Sequence, residues 1–288
     1  MSSKKIGANK SDTQIDQDAH LALQLCKGIS LDPIRLLAIK ELHLQDAEIT
    51  TLEPFQHLLE LCVLYASNNQ ITSVRPLDGL EKLRVLHLSH NKLGRIEGIR
   101  SLPSLEELNI ARQRTSALAF EPDSIEALGN TLRTLNARGN HIASCRVLSS
   151  LRALEELELS ENDIDDFNDF EILLAGISAI TTINLSDNPI VKKMPKLRHQ
   201  CISAWRSLGS FNAKPVTTAE RIFVSKINEH RAKIKSRQQS VASKKATSKT
   251  SMDILAASKP VPHLPPYASQ YRDLLIQTIS NSRTAKGA

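Results

Sequence analysis

LRVLHLSHNKL, residues 83–93, is one copy of an eleven-residue phrase that recurs along the chain. The others are IKELHLQDAEI from Ile39, LCVLYASNNQI from Leu61, LEELNIARQRT from Leu105, LRTLNARGNHI from Leu132, LEELELSENDI from Leu154 and ITTINLSDNPI from Ile180. Their spacings are 22, 22, 22, 27, 22 and 26 residues. A sustained period of this length means stacked units, so it takes precedence over local propensity. Positions four and six of the phrase are apolar and their neighbours polar, as in Leu86-His87-Leu88, which is the alternation of a strand with one buried face. The second half of a unit repeats apolar residues every third position: Ile71, Val74, Leu77 and Leu80, then again Ile142, Cys145, Leu148 and Leu151. That period suits a 3₁₀ turn. Neither half can bury its apolar edge alone, so the units must stack into an α/β solenoid with a concave parallel sheet and a continuous core.

Asn69, Asn91, Asn140, Asn162 and Asn188 fill the ninth position of five copies. A carboxamide both donates and accepts, so a column of them can satisfy backbone groups left unpaired where the chain turns inward. Ala47 and Gln113 are expected to break the column in the first and fourth copies. This pattern is identified as the leucine-rich repeat in its short form, and it covers residues 39–190.

Forty leucines are present, 36 of them at or before Leu208, so the body ends near there. The expected organisation starts with a disordered stretch over 1–18 and a helical cap over 19–38, built on Leu21, Leu23, Leu25, Ile29, Leu31, Ile34, Leu36 and Leu37. Seven repeats occupy 39–190 and a closing cap 191–216, with Ile202, Trp205 and Leu208 on one helix face. A basic helix follows over 217–238, opened by a Thr217-x-x-Glu220 capping box and carrying Ile222, Phe223, Ile227 and Ile234 as its apolar stripe. The tail over 239–288 is rich in Ser, Lys and Pro and too poor in apolar residues to offset ordering entropy, apart from a short helix near 268–280.

The net charge of +6 is an average of unlike parts. Residues 1–220 carry 24 basic and 28 acidic side chains, whereas 221–260 carry ten and two. Lys233, Lys235, Arg237, Lys244 and Lys245 make the tail a candidate for electrostatic contact with an acidic polymer. With few aromatics interleaved, nucleic acid is disfavoured. No apolar run is long enough to span a bilayer. Cys26, Cys62, Cys145 and Cys201 form no Cys-x-x-Cys pair and read as ordinary thiols.

No residue set supports catalysis, a metal or a cofactor, and no small-molecule substrate is implied. The chain lacks phosphate-binding glycine loops and a Gly-x-Ser-x-Gly elbow. His87 and His90 lack a third ligand at a recognisable spacing. Asp163, Asp165, Asp166 and Asp169 lack the glycine and terminal glutamate of a calcium loop. What remains is a binding face built from the outward strand positions. Tyr65, His87 and His90 lie toward its front, Arg112 and Arg138 in a basic middle, and Glu156, Glu158 and Glu161 in an acidic rear.

The 27-residue unit with Gln113-Arg114 and the Phe120-Glu121-Pro122 loop resembles the testis leucine-rich-repeat group of protein phosphatase 1 regulatory subunits. The 26-residue unit with Phe167, Phe170, Leu173 and Leu174, and the basic stretch behind the cap, are similar as well. The resemblance implies a regulatory or targeting subunit of the phosphatase catalytic subunit, with possible contacts to tubulin or a centrosomal or axonemal protein. It also implies a cytoplasmic, cytoskeleton-associated location at a centrosome, basal body or cilium. A docking segment of the type basic-Val-x-Phe is lacking, since Arg221-Ile222-Phe223 has no intervening residue. The alternative is a structural axonemal or cytoskeletal adaptor with no phosphatase partner.

Overall fold

The computed structural model describes residues 39–234. The N-terminal cap expected over 19–38, Cys26, and the tail with Lys235, Arg237, Lys244, Lys245 and the helix near 268–280 lie outside the described residues. The chain divides into two units, Met1–Lys226 and Ile227–Ala288. Of the second, residues 227–234 are described and helical.

The first unit is built on the repeated phrase. Each copy supplies one three-residue strand: β1 (Glu41–His43), β2 (Val63–Tyr65), β3 (Val85–His87), β5 (Glu107–Asn109), β7 (Thr134–Asn136), β8 (Glu156–Glu158) and β9 (Thr182–Asn184). They pair in parallel in chain order, with Leu42, Leu64, Leu86, Leu108, Leu135, Leu157 and Ile183 in one register. All seven are buried, together with the position-six residues such as Leu44, Leu88 and Leu159. Because side chains alternate along a strand, this register sends positions three, five and seven to the open face.

The return segments are short. Glu53–Phe55, Arg75–Leu77 and Arg146–Ser150 are 3₁₀ turns, as the three-residue period requires. The two long repeats spend their extra residues on helices, α1 (Pro122–Ala127) and α2 (Phe167–Gly176). Asp166 opens α2 by accepting from the Asn168 amide at 2.8 Å, a capping bond. The sequence reading did not anticipate the small parallel pair β4 (Arg95–Ile96) and β6 (Ala119–Phe120) on the return side.

The ninth-position column runs through the body, but its expected break is not there. Asn91 donates to the carbonyls of Leu88 (3.0 Å) and Ala66 (2.9 Å) and accepts from the Ile71 amide (3.0 Å). Gln113 reproduces this set: it donates to Ile110 (3.1 Å) and Leu88 (2.8 Å) and accepts from Leu93 (3.0 Å). A glutamine carries the same carboxamide one methylene further out, and the irregular fourth unit accommodates it. Only Ala47 supplies no amide, and the column begins at Asn69, which accepts from the Ala47 and Ile49 amides.

At the rear, α3 (Pro189–Lys193) and α4 (Leu197–Ala204) form the cap. Ile202, Trp205 and Leu208 are buried as expected but do not share a helix face. Helix α4 stops at Ala204, and Trp205 is extended so that its indole donates to the Ile177 carbonyl at 2.7 Å. Strand β10 (Ser210–Phe211) continues the sheet in parallel, and β11 (Lys214–Pro215) closes its edge in antiparallel with a proline that cannot donate onward. The next helix starts at 218. Thr217 Oγ1 accepts from the Glu220 amide at 3.2 Å, but the reciprocal half of the capping box is diverted. The Glu220 carboxylate instead takes a two-pronged contact from Arg198 at 2.6 and 2.8 Å. The helix turns inward on the side that carries this contact. Glu220 and Val224 are one turn apart, and Val224 joins the core. Ile222, Phe223 and Ile234, read from the sequence as apolar positions of this helix, are exposed.

Candidate interaction surface

The open sheet face holds three adjoining patches. At the front, position five of β1, β2 and β3 carries His43, Tyr65 and His87. Their rings meet across the strands with centroids 4.8 and 4.9 Å apart, His43 tilted against Tyr65 and Tyr65 edge-on to His87. His43 Nε2 lies 2.8 Å from Glu41 Oε1 and His87 Nε2 lies 2.7 Å from Glu107 Oε1, so a carboxylate flanks each end. The hydrogen bond to His87 holds the Glu107 carboxyl below its ordinary range. Burial, with Glu41 and Glu107 beside it, pushes the Tyr65 phenol up. The patch thus presents a neutral phenol bracketed by two carboxylates, on strands paired in register.

The middle is less basic than its sequence. Arg112 donates to Glu161 at 3.0 Å, and Arg138 is bonded to the other oxygen of the same carboxylate. The Arg138 bond, with Arg112 nearby, holds the Glu161 carboxyl below its ordinary range. Arg112 reaches across two repeats because Gly139 lies between them; a Cβ there would stand 3.1 Å from Arg112 Cγ.

The rear keeps its acidity. Glu156 is exposed, while Glu158 accepts from Asn184 at 2.8 Å and Asp187 lies in the turn behind β9. His90 is half-buried in the turn after β3, apart from the three rings.

A regularity at position eight escaped the sequence reading. Asp46, Asn68, His90, Arg112, Gly139, Glu161 and Asp187 all have φ between 53° and 67°. Left-handed backbone favours Gly, Asn and Asp, which fill four of these seven places, so the signal was present in residue type. A side chain leaving such a residue is aimed differently from a strand side chain. Arg112 and Glu161 therefore belong to the turn row and not to the strand face.

The aspartates considered for calcium have separate partners. Asp163 lies 3.1 Å from His141, Asp165 takes Lys193 at 2.5 Å, Asp166 caps α2, and Asp169 accepts from Ser144. Among the described residues no group of three or more candidate ligands converges. Burial pushes the Cys145 and Cys201 thiols up to about 12, which leaves them protonated and unreactive at neutral pH.

The family model described as Leucine Rich repeats (2 copies) matches residues 59–97 and 81–120. Residues 59–120 of this chain therefore carry leucine-rich repeats. Among solved structures, an internalin of Listeria monocytogenes, InlF, is similar at 20% identity and a TM-score of 0.45, covering 69% of this chain and 62% of its own. Internalin C2 from the same organism matches at 23% identity, TM-score 0.44, over 67% of this chain and 92% of that one. A leucine-rich-repeat protein of Leptospira interrogans matches at 21% identity, TM-score 0.48, over 63% and 51%. The chain thus spans less than two thirds of the length of InlF and of the Leptospira protein.

Of the tail cations, Lys233 is described and exposed on the helix that runs to 234. No described helix is long and apolar enough to cross a membrane. Counting charge by structural element also moves the boundary drawn in the sequence. Residues 39–188 carry 13 basic and 23 acidic side chains, whereas 189–226, the cap and the first turns of its helix, carry eight and one. The positive charge therefore begins inside the folded body.

Proposed function

We propose that this chain is a non-enzymatic protein-interaction scaffold that docks its partner on the open sheet face. In this reading the partner is the catalytic subunit of protein phosphatase 1, held at a microtubule-organising or ciliary structure. The observation that carries the docking face is the His43–Tyr65–His87 ladder, an aromatic patch on paired strands with carboxylates at its flanks. Tyrosine in such a setting offers contact area at small entropic cost, which is what interface anchors supply. The choice of phosphatase rests on the resemblance of the two irregular repeats. The cytoskeletal placement rests on the same resemblance and on the basic tail.

Arg112 and Arg138 already bind Glu161, so reversing their charge would disturb an internal cluster as well as a contact. Tyr65 and Glu156 are cleaner probes. The full-length protein should capture purified phosphatase 1 catalytic subunit, and Tyr65→Ala with Glu156→Lys should weaken capture by about tenfold or more. No capture by the wild-type protein removes the phosphatase. Equal capture by the folded variant removes the sheet face. Salt-sensitive co-sedimentation with microtubules, lost on deleting 225–260, is the result expected of a cytoskeletal role.

A further inference from the structure

We propose that the C-terminal cap carries a second docking surface, separate from the open sheet face, for an acidic segment of a partner protein bearing one or two apolar side chains. The surface is centred on Ile222 and Phe223, which are 52% and 56% exposed and are two of the four large apolar residues so exposed among the described ones. Their neighbours are cationic. Phe223 meets the His199 ring edge-on at 6.0 Å, joining the 218–226 helix to α4. Lys196 lies one turn before His199, and Lys226 lies one turn beyond both Ile222 and Phe223. Residues three and four apart share a helix face, so Lys226 flanks the apolar pair; Lys196 caps α4, three residues before His199, and both lysines are exposed.

The local charge is not neutralised from within. Glu220, the one acidic residue of 189–226, is consumed by Arg198, which also donates to the carbonyls of Phe211 (3.1 Å) and Pro215 (3.0 Å). Lys193 is turned toward Asp165, at 2.5 Å. Lys226 faces solvent one turn from the exposed Phe223 ring, and Lys196 is exposed at the start of the helix that holds His199, an arrangement that favours an anionic partner with an apolar anchor.

A membrane is the other anionic surface with an apolar interior. Interfacial helices need a continuous apolar face. Here the stripe is divided: Val224 is buried in the core, Ile222 and Phe223 are exposed side by side, and Ile234 is the next large apolar residue exposed among the described ones. Two side chains make an anchor for a peptide but a poor insertion face, so the observations favour protein.

The test uses the full chain and two synthetic peptides, one rich in glutamate with two leucines a helical turn apart, the other with serines in their place. Wild-type protein should bind the leucine peptide more tightly than the serine peptide; the basic residues of 221–260 give both a common electrostatic background. Ile222→Ser with Phe223→Ser should weaken the leucine peptide by about tenfold and leave the serine peptide unchanged. Lys196→Glu with Lys226→Glu should weaken the leucine peptide and flatten its salt dependence. Leu59→Ser, at an exposed apolar residue of the first repeat, should bind as wild type. The proposal is overturned if the two peptides bind alike, or if the serine variant keeps full affinity for the leucine peptide. It is also overturned if vesicles of phosphatidylcholine and phosphatidylserine, and not the peptide, lose binding in that variant. Should the serine variant fail to fold, the lysine variant decides: unchanged peptide affinity there overturns the proposal.

Discussion

Replacing Gln113 by methionine keeps the length and most of the volume of the side chain and removes only its carboxamide. Gln113 is 6% exposed, and the chief backbone partners of its amide are the carbonyls of Leu88 and Ile110 and the N–H of Leu93, with a longer bond to the Ala111 carbonyl at 3.5 Å. The Leu88 and Ile110 carbonyls keep a second donor, Asn91 and Asn140, whereas the Leu93 N–H is left without a partner in a buried site. A net hydrogen bond is worth about 1 kcal/mol, and an orphaned buried group about 1–3, so losing two carbonyl bonds and orphaning one N–H should make Gln113→Met destabilise the body by ~3 kcal/mol. For a folded unit of this size that lowers Tm by about 6–12 °C. The assay is thermal or denaturant unfolding followed by circular dichroism. Gln113→Asn is the informative companion, since it restores the residue type of the other rungs and should cost less than the methionine change. If methionine shifts stability by less than about 1 kcal/mol, Gln113 is not a rung of the ladder, and the sequence expectation of a break there was right.

Two further changes test the packing and the cap. Gly176 ends α2, where a Cβ would stand 2.3 Å from the Ser149 carbonyl oxygen and 2.6 Å from Ser149 Cβ; Gly176→Ala must push α2 off the 3₁₀ turn and should cost about 1–3 kcal/mol in unfolding experiments. Glu220 has its carboxyl held below the ordinary 4.5 chiefly by the Arg198 hydrogen bond. A depressed folded value means that the pair stabilises the cap above the ordinary carboxylate range and that this stability is lost as pH falls through the folded value. Arg198→Ala should therefore lower stability at neutral pH and flatten its acid dependence, measured as the denaturation midpoint between neutral and acidic pH; an unchanged pH profile refutes the role given to the pair.

What could be read from the chain follows from how far its determinants lie apart. The strands were legible because the two-residue alternation and the 22-residue spacing are both local, and Leu86 needs only its neighbours to be recognised as inward. Gln113 was misjudged because its role is set by the carboxamide and not by residue identity, and nothing nearby reveals that the fourth unit can absorb a methylene. The Arg112–Glu161 contact spans 49 residues and depends on Gly139 between its ends, so no window shorter than three repeats contains it. The outward turn of Ile222 and Phe223 was hidden for a different reason. Apolar spacing alone groups them as one stripe and gives no sign that Val224, one turn from the Arg198–Glu220 pair, is the residue that joins the core.

The same geometry separates charges that hold the repeats in register from charges left for a partner. At position two of the phrase the sign alternates from one repeat to the next: Arg84 meets Glu106 at 2.9 Å, and Arg133 meets Glu155. Each charge has its complement one rung away, at exposures where such a pair contributes about 0–1 kcal/mol, so the row favours correct register more than it adds stability. At position three of the rear strands the alternation fails. Thr134, Glu156 and Thr182 stand side by side in β7, β8 and β9, and no neighbouring rung offers Glu156 a cation. Glu158, two residues on, is met by the neutral amide of Asn184. A stacked repeat can compensate a charge by placing its opposite 22 residues away, as position two does, and along this edge of the open face it has not. Glu156 is therefore the charge on that face most available to a partner, whereas Arg112 and Arg138, though more conspicuous in the sequence, are bound to Glu161 within the chain.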